Sequence, residues 1–137
     1  MMTDPMAEIT RPESLLTQYA AGQRDFSGAN LRGAQLAELD LSEATFAEAL
    51  LMGANLEATD LSNADLSGAS LKGADLSGAY LQNANLSNAD LRGASLLGAD
   101  LREANLTAAR LAAVDYDTHT LFPRDFDPAD SKLHFVS

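Results

Sequence analysis

The chain has no cysteine and no tryptophan, and only two histidines and four prolines among its 137 residues. Without cysteine it can form neither disulfides nor thiolate metal sites. It contains no apolar run of about eighteen residues, the length that predicts a transmembrane helix. The N-terminus, MMTDPMAEIT, lacks the basic and apolar regions of a secretory signal. From these absences we expect a cytoplasmic protein that does not enter a membrane.

Positive charge is also scarce, because nine basic residues stand against twenty acidic ones and the net charge is -11. This balance disfavours nonspecific attraction to nucleic acid or to an anionic membrane unless the few cations are gathered on one surface, and we expect no direct nucleic-acid binding and no membrane partner. Both histidines, His119 and His134, lie near the C-terminus, far in sequence from most of the serines that a histidine could activate. No phosphate loop, dinucleotide motif or zinc spacing is present. We therefore expect a non-enzymatic protein with no cofactor and no metal.

The chain does contain an uninterrupted five-residue repeat over residues 24–118. A large apolar residue, usually leucine, returns at every fifth position from Phe26 to Tyr116. Alanine usually stands two residues before it and Asp or Asn one residue before it, so the unit reads A-[DN]-L-x-x. A helix buries apolar residues that recur about every 3.6 positions and a strand buries alternate ones. Neither a long helix nor a long strand can bury this pattern.

A polygonal coil buries both apolar positions of every unit. Each unit forms a short extended piece and then a corner, and with corners of about a right angle four units close one coil of about twenty residues. The interior has room for one large side chain per side, so the second inward residue must be small. Stacked coils pair as parallel ladders, and the repeat makes about 4.75 coils. The Asp or Asn before each leucine can hydrogen-bond nearby backbone or the neighbouring coil.

The corners are predicted to be type II turns, which need positive φ at the third position. Glycine or asparagine, such as Gly53 and Asn63, occupies that position in most units and tolerates this conformation. Other corners carry glutamate or alanine, and there we expect a different corner geometry. These corners are Glu38, Glu43, Glu48, Ala58, Glu103, Ala108 and Ala113.

Both ends of the coil need covering. Residues 1–9 show no periodicity and are predicted to be a flexible leader. Residues 10–22 are predicted to form a capping α-helix, with Thr10 and Glu13 in capping-box spacing and Gly22 ending the helix. This helix would cover the open apolar end of the first coil.

The repeat pattern ends at Thr118, and residues 119–137 are predicted to be a C-terminal cap and tail. Three bulky residues, Leu121, Phe122 and Phe126, are expected to fold over the last coil. Residues 132–137 alternate weakly and could be a strand, a dimer contact or a frayed end. We accordingly expect a monomer or a weak homodimer through this segment.

This tandem A-[DN]-L-x-x pattern resembles the pentapeptide-repeat protein family, whose members often come from cyanobacteria. The resemblance implies an all-β solenoid, a right-handed quadrilateral parallel β-helix, in agreement with the polygonal coil. Some positions depart from the pattern. The small residue is replaced at Arg24, Leu39, Thr59 and Val114, and Asp or Asn is replaced at Leu50, Tyr80 and Arg110. Leu39 argues most strongly against a tight interior.

The outward residues, sorted by a period of twenty, form two charged surfaces. The basic face consists of Arg32, Leu50, Met52, Lys72, Arg92 and Arg110. The acidic face consists of Glu38, Asp40, Glu43, Glu57, Asp60, Asp75, Asp100 and Glu103. Solubility alone favours charge at the few outward positions of a narrow solenoid, and the functional interpretation is a docking surface.

The first functional hypothesis is a protein–protein interaction module whose partner the sequence does not identify. In that hypothesis the basic face, with Leu50 and Met52 as a small apolar patch, contacts a protein partner. The resemblance also implies an alternative, an acidic DNA mimic that binds a DNA-binding enzyme such as DNA gyrase.

Overall fold

The computed structural model describes residues 11–130 and 132–136. Its first element is the helix α1, Pro12–Ala20, which begins after Arg11 in an extended conformation with φ -138°. The N-cap is therefore Arg11, which makes no side-chain capping bond, and the expected capping box on Thr10 is wrong. Proline favours the first helical position because its φ is already helical, which explains the later start. Thr10 and the predicted leader lie outside the described residues.

The helix α1 lies against the first coil of the repeat. Leu15 is fully buried, and the hydroxyl of Tyr19 donates to the carbonyl of Ser42 at 2.9 Å. The guanidinium of Arg24 stacks 3.6 Å from the centre of the Tyr19 ring, so this departure from the small-residue pattern serves the contact with the helix. No helix in the described part of the chain has the length and apolar character needed to cross a membrane.

The repeat forms a four-sided parallel solenoid. From Asp25 onward, every fifth residue makes a parallel β-bridge to the residue twenty positions later, as in Asp25↔Thr45 and Asp40↔Asp60. A corner follows each bridge at once, so the extended pieces are too short to be regular strands. Within residues 11–130 and 132–136 the regular strands are β1, Asp115–Tyr116, and β2, His134–Phe135, which pair in parallel.

The core is the column of inward leucines and alanines along the solenoid axis. Leu71 and Ala74, in the middle coils, are almost completely excluded from solvent. In the first two coils the rings of Phe26 and Phe46 stack with centroids 5.5 Å apart. Leu39 is only partly buried and lies in the first coil, at the end of the solenoid, where a larger side chain does not have to fit between two coils.

The corners from Gly28 to Ala113 share one backbone conformation, which corrects the expectation for the glutamate and alanine corners. Glu38 has φ 64° and Ala58 has φ 55°, close to the 66° of Gly53, and the other five corners of that set also have positive φ. A left-handed conformation costs an L-residue about 1–2 kcal/mol. The hydrogen bonds between coils impose it nevertheless, since the Glu38 N–H donates to the Glu57 carbonyl at 2.9 Å.

The ladder continues past Thr118 with one extra residue in the coil. Asp100 pairs with Leu121, and Thr120 takes the inward position, where its hydroxyl donates to the carbonyl of Leu96 at 2.8 Å. This shift turns Leu121 outward, 44% exposed, and the expectation that it folds over the last coil is wrong. Phe122 is half-buried and stacks on Phe126 with centroids 5.0 Å apart.

The tail returns to the solenoid as strand β2. The N–H of His134 donates to the carbonyl of Val114 at 2.8 Å, and the rings of Phe135 and Tyr116 lie 5.3 Å apart. Of the three alternatives for this segment, the structure shows the strand for His134–Phe135. At the C-terminal end of the axis, Phe122 and Leu133 pack against the core, whereas Phe135 is 48% exposed.

Candidate interaction surfaces

The ladder places the six residues of the basic face on one side of the solenoid. Consecutive bridges join Asn30, Leu50, Ser70, Asp90 and Arg110 in one column along the axis. The second column contains Arg32, Met52, Lys72 and Arg92, whose peptide groups follow one another through the corner hydrogen bonds of successive coils. Four of the nine basic residues therefore share a side that carries one acid, Asp90.

The cations of this face differ in how they are held. The Arg92 guanidinium pairs with the Asp90 carboxylate at 2.7 Å, and their hydrogen bond lowers the pKa of Asp90 and raises that of Arg92. Lys72 and Arg110 are exposed, and neither forms an ion pair with any residue that the structure describes. Their charges are thus available to a partner.

The apolar members of the basic face lie together in the second coil. Leu50 and Met52 are half-buried and are separated by one inward residue, Leu51. They stand one coil away from Arg32 and one coil away from Lys72. An apolar centre with cations on both sides has the composition of a small protein contact.

The acidic face also forms, across two adjacent sides. Bridges place Asp40, Asp60 and Asp100 in one column, which Tyr80 interrupts, and Asp75 follows Asn55 on the neighbouring side. The four glutamates, Glu38, Glu43, Glu57 and Glu103, are all exposed.

The aspartates of this face also have a local structural role. The Oδ1 of Asp40 accepts hydrogen bonds from the hydroxyl and the N–H of Ser42, at 2.7 and 3.0 Å, and these bonds lower the pKa of Asp40. Asp60 accepts both bonds from Ser62 in the same way, and Asp75 accepts from the N–H of Ser77. A short acceptor before each leucine therefore closes the following corner, which explains the preference for Asp or Asn there.

Arginines neutralise the C-terminal part of the acidic face. Arg102 pairs with Asp100 at 2.6 Å, and Arg124 pairs with Glu103 at 3.3 Å. The hydrogen bonds from Arg102 lower the pKa of Asp100. Unbalanced negative charge is consequently concentrated in the first two coils.

Two grooves at the C-terminal end were not predicted from the sequence. One, of about 430 Å³, lies between residues 103–107 and residues 123–126. The other, of about 370 Å³, lies beside Arg110 and also includes Lys132. Lys132 could have been found only by knowing that the tail returns to the basic side. No cluster of three or more acidic or histidine side chains suited to a metal occurs within the described ranges.

Comparison with known proteins finds a matching family model and similar solved structures. The sequence model of the Pentapeptide repeats family matches residues 25–68, 49–88 and 84–115, in eight copies. The crystal structure of Rfr23, a pentapeptide repeat protein from the cyanobacterium Cyanothece 51142, is 38% identical with a TM-score of 0.68. The match covers 69% of this chain and 64% of Rfr23, so the chain spans somewhat less than two thirds of that protein.

Two further solved structures are similar in sequence. The protein alr5209 from Nostoc Pcc 7120, a pentapeptide repeat protein, is 38% identical over 98% of this chain and 100% of its own, with a TM-score of 0.37. A pentapeptide repeat protein of the Arabidopsis thaliana thylakoid lumen is 33% identical over 69% of this chain and 70% of its own, with a TM-score of 0.41. No curated protein matches the chain.

Proposed function

Since the chain belongs to the pentapeptide-repeat family, we propose that it is a non-enzymatic interaction module whose basic face binds an acidic surface of a protein partner. Family membership and the general handedness of parallel connections support a right-handed winding of its coils. The proposed module is cytoplasmic and acts as a monomer or a weak homodimer.

One observation carries this proposal: the basic face is positively charged, although the protein as a whole is negatively charged. In a chain of net charge -11, one side gathers four cations and a single acid. Lys72 and Arg110 are exposed without an ion pair in the part of the chain that the structure describes. Such a surface attracts a negatively charged partner and orients it, while the acidic sides repel the same partner.

Affinity capture with two matched variants tests the proposal. The first variant reverses Lys72→Glu and Arg110→Glu on the basic face. The control reverses Arg102→Glu and Arg124→Glu on other sides, so both variants change the net charge by the same amount. We expect bound proteins captured by the wild type and the control to be lost from the first variant. An identical set of captured proteins for both variants would leave the basic face without a role.

The acidic face supports a second candidate, a DNA mimic that binds a DNA-binding enzyme such as DNA gyrase. Its supporting observation is the unbalanced negative charge of the first two coils, where Glu38, Asp40 and Glu43 are exposed. It ranks second because Arg102 and Arg124 neutralise the C-terminal part of the face. A gyrase supercoiling assay tests it, and absence of inhibition at micromolar protein would eliminate the mimic.

A further inference from the structure

The last coil is closed unevenly by the tail. On two sides the ladder continues, since the Leu101 N–H donates to the Leu121 carbonyl at 2.7 Å and the His134 N–H donates to the Val114 carbonyl at 2.8 Å. After Phe122 the chain instead leaves the ladder and includes a short 3-10 helix, Pro128–Asp130. On the basic side the tail continues only the corner, where the Ala113 N–H donates to the Lys132 carbonyl at 3.0 Å. The extended pieces of the other two sides are not continued by a ladder within the described residues.

The unpaired backbone groups lie on the basic side and on the side before it. In interior coils each inward leucine donates its N–H to the next coil, and the carbonyl two residues earlier accepts from that coil. Leu111 and Ala109 occupy these positions in the last coil of the basic side. Neither the Leu111 N–H nor the Ala109 carbonyl has a hydrogen-bond partner among residues 11–130 and 132–136. Such an edge is a template for one more strand.

The groove of about 370 Å³ lies along this edge. Its lining consists of Arg92, Ala109, Arg110, Leu111, Ala112 and Lys132. Among the lining residues that the structure describes, the floor is apolar and every charged side chain is a cation. Arg92 is paired with Asp90, whereas Arg110 and Lys132 form no ion pair with a described residue. The neighbouring groove of about 430 Å³ carries both signs of charge, with Glu103, Asp125 and Arg124 in its lining. It therefore discriminates less strongly between acidic and basic ligands.

The geometry points to this groove as a binding site for an extended acidic peptide segment of the partner protein, which adds to the open edge as a parallel strand. A peptide N–H donates to the Ala109 carbonyl and a peptide carbonyl accepts from the Leu111 N–H. Carboxylates on the peptide pair with Arg110 and Lys132, and alternate side chains contact the apolar floor. The inference rests on the proposed function, because it names the class of partner for the basic face.

A symmetric pairing of two copies through this groove is disfavoured. A symmetric dimer would place identical surfaces against each other, so Arg110 and Lys132 of both copies would meet. Like charges placed together in this way are destabilising. An acidic peptide meets the opposite charge at the same edge.

Fluorescence anisotropy with a labelled peptide tests the site. The probe is the hexapeptide Asp-Val-Glu-Val-Asp-Val, with two control peptides. One control carries lysine in place of each acid, and the other carries N-methyl groups on alternate amides, which removes strand donors. We expect saturable binding of the probe alone, at least about tenfold tighter than either control, since the controls lose the charge pairs or the backbone bonds. Equal binding of the probe and the N-methylated peptide would overturn strand addition.

Variants of the protein locate the site. Arg110→Glu and Lys132→Glu should each weaken probe binding about tenfold, because the substituted carboxylate repels the peptide. Arg102→Glu is the control, since it reverses a cation on a different side of the solenoid, and it should change binding less than about twofold. Equal effects of Arg102→Glu and Arg110→Glu would overturn the groove as the site. A wild-type dimer in sedimentation that Arg110→Glu dissociates would also overturn it, in favour of a second copy.

The outcomes separate this inference from the proposed function. If the labelled peptide does not bind but affinity capture still depends on Lys72 and Arg110, the edge site is refuted and the basic face remains a docking surface. If the labelled peptide binds at the edge but the proteins captured do not depend on the basic face, the proposed function alone is refuted.

Discussion

Replacing Glu38 by glycine should stabilise the protein, although the change removes a side chain and gains no contact. Glu38 is exposed, and its φ of 64° lies in the left-handed region. That conformation costs an L-residue about 1–2 kcal/mol and costs glycine almost nothing. Glycine also increases the entropy of the unfolded chain, which opposes the gain by roughly 0.4–1 kcal/mol. The expected net stabilisation is about 0.5–1 kcal/mol.

Glu57→Gly is the matched control for this prediction. Glu57 is exposed on the same side of the next coil, and its carbonyl accepts the hydrogen bond from the Glu38 N–H at 2.9 Å. Both variants remove one negative charge from the same surface, so the electrostatic changes are closely matched. Glu57 does not have positive φ, and its replacement by glycine should therefore cost about 0.4–1 kcal/mol.

Thermal unfolding followed by circular dichroism measures the two effects. A change of 1 kcal/mol shifts the Tm of a chain of this length by roughly 4 °C. Glu38→Gly should raise the Tm and Glu57→Gly should lower it, with the two variants differing by about 4–8 °C. Shifts of the same sign and size would refute the reasoning, because they would show that charge removal, and not backbone strain, governs stability at the Glu38 corner.

Three other predictions concern the interior and the aspartates. Leu71→Asp buries an unpaired carboxylate and should unfold the domain, with a cost above about 4 kcal/mol, whereas Ser67→Asp on the outside should keep the native circular dichroism spectrum. Thr59→Val removes the 2.7 Å hydrogen bond from the Thr59 hydroxyl to the buried Leu36 carbonyl and should lower the free energy of unfolding by about 1–2 kcal/mol in urea titration. Asp100 has a lowered pKa, so its contribution is present above its unfolded pKa of about 3.9 and is lost as the pH falls through the lower folded pKa. The Tm difference between wild type and Asp100→Asn should therefore be present at pH 7 and should shrink below about pH 4.

Each of these has a clear contrary result. Equal effects of the Leu71 and Ser67 substitutions would contradict the inward and outward assignment. A Thr59→Val variant as stable as the wild type would mean that the Leu36 carbonyl finds another donor. A Tm difference that does not change with pH would show that Asp100 contributes through its shape and not through its charge.

Part of the candidate site followed from periodicity, and part did not. A period of twenty was sufficient to place Arg32, Lys72 and Arg110 on one side, because outward direction depends only on position within the unit. Their pairing was not predictable. The pairing of Arg92 with Asp90 depends on side-chain rotamers. The position of Lys132 on the same side depends on the path of the tail.

The interior of this solenoid is encoded locally. Leucine and alanine recur at fixed offsets, and since a coil with right-angled corners buries both, the architecture and the inward columns could be inferred from residue order. The corners and the ends required the folded structure. Glu38 takes a conformation that its own preference opposes, because hydrogen bonds to a coil twenty residues away outweigh about 1–2 kcal/mol of local strain. Thr120 and His134 continue the ladder outside the repeat pattern for the same reason. A parallel edge pairs with any backbone that reaches it in register, and the local sequence does not determine which segment will do so.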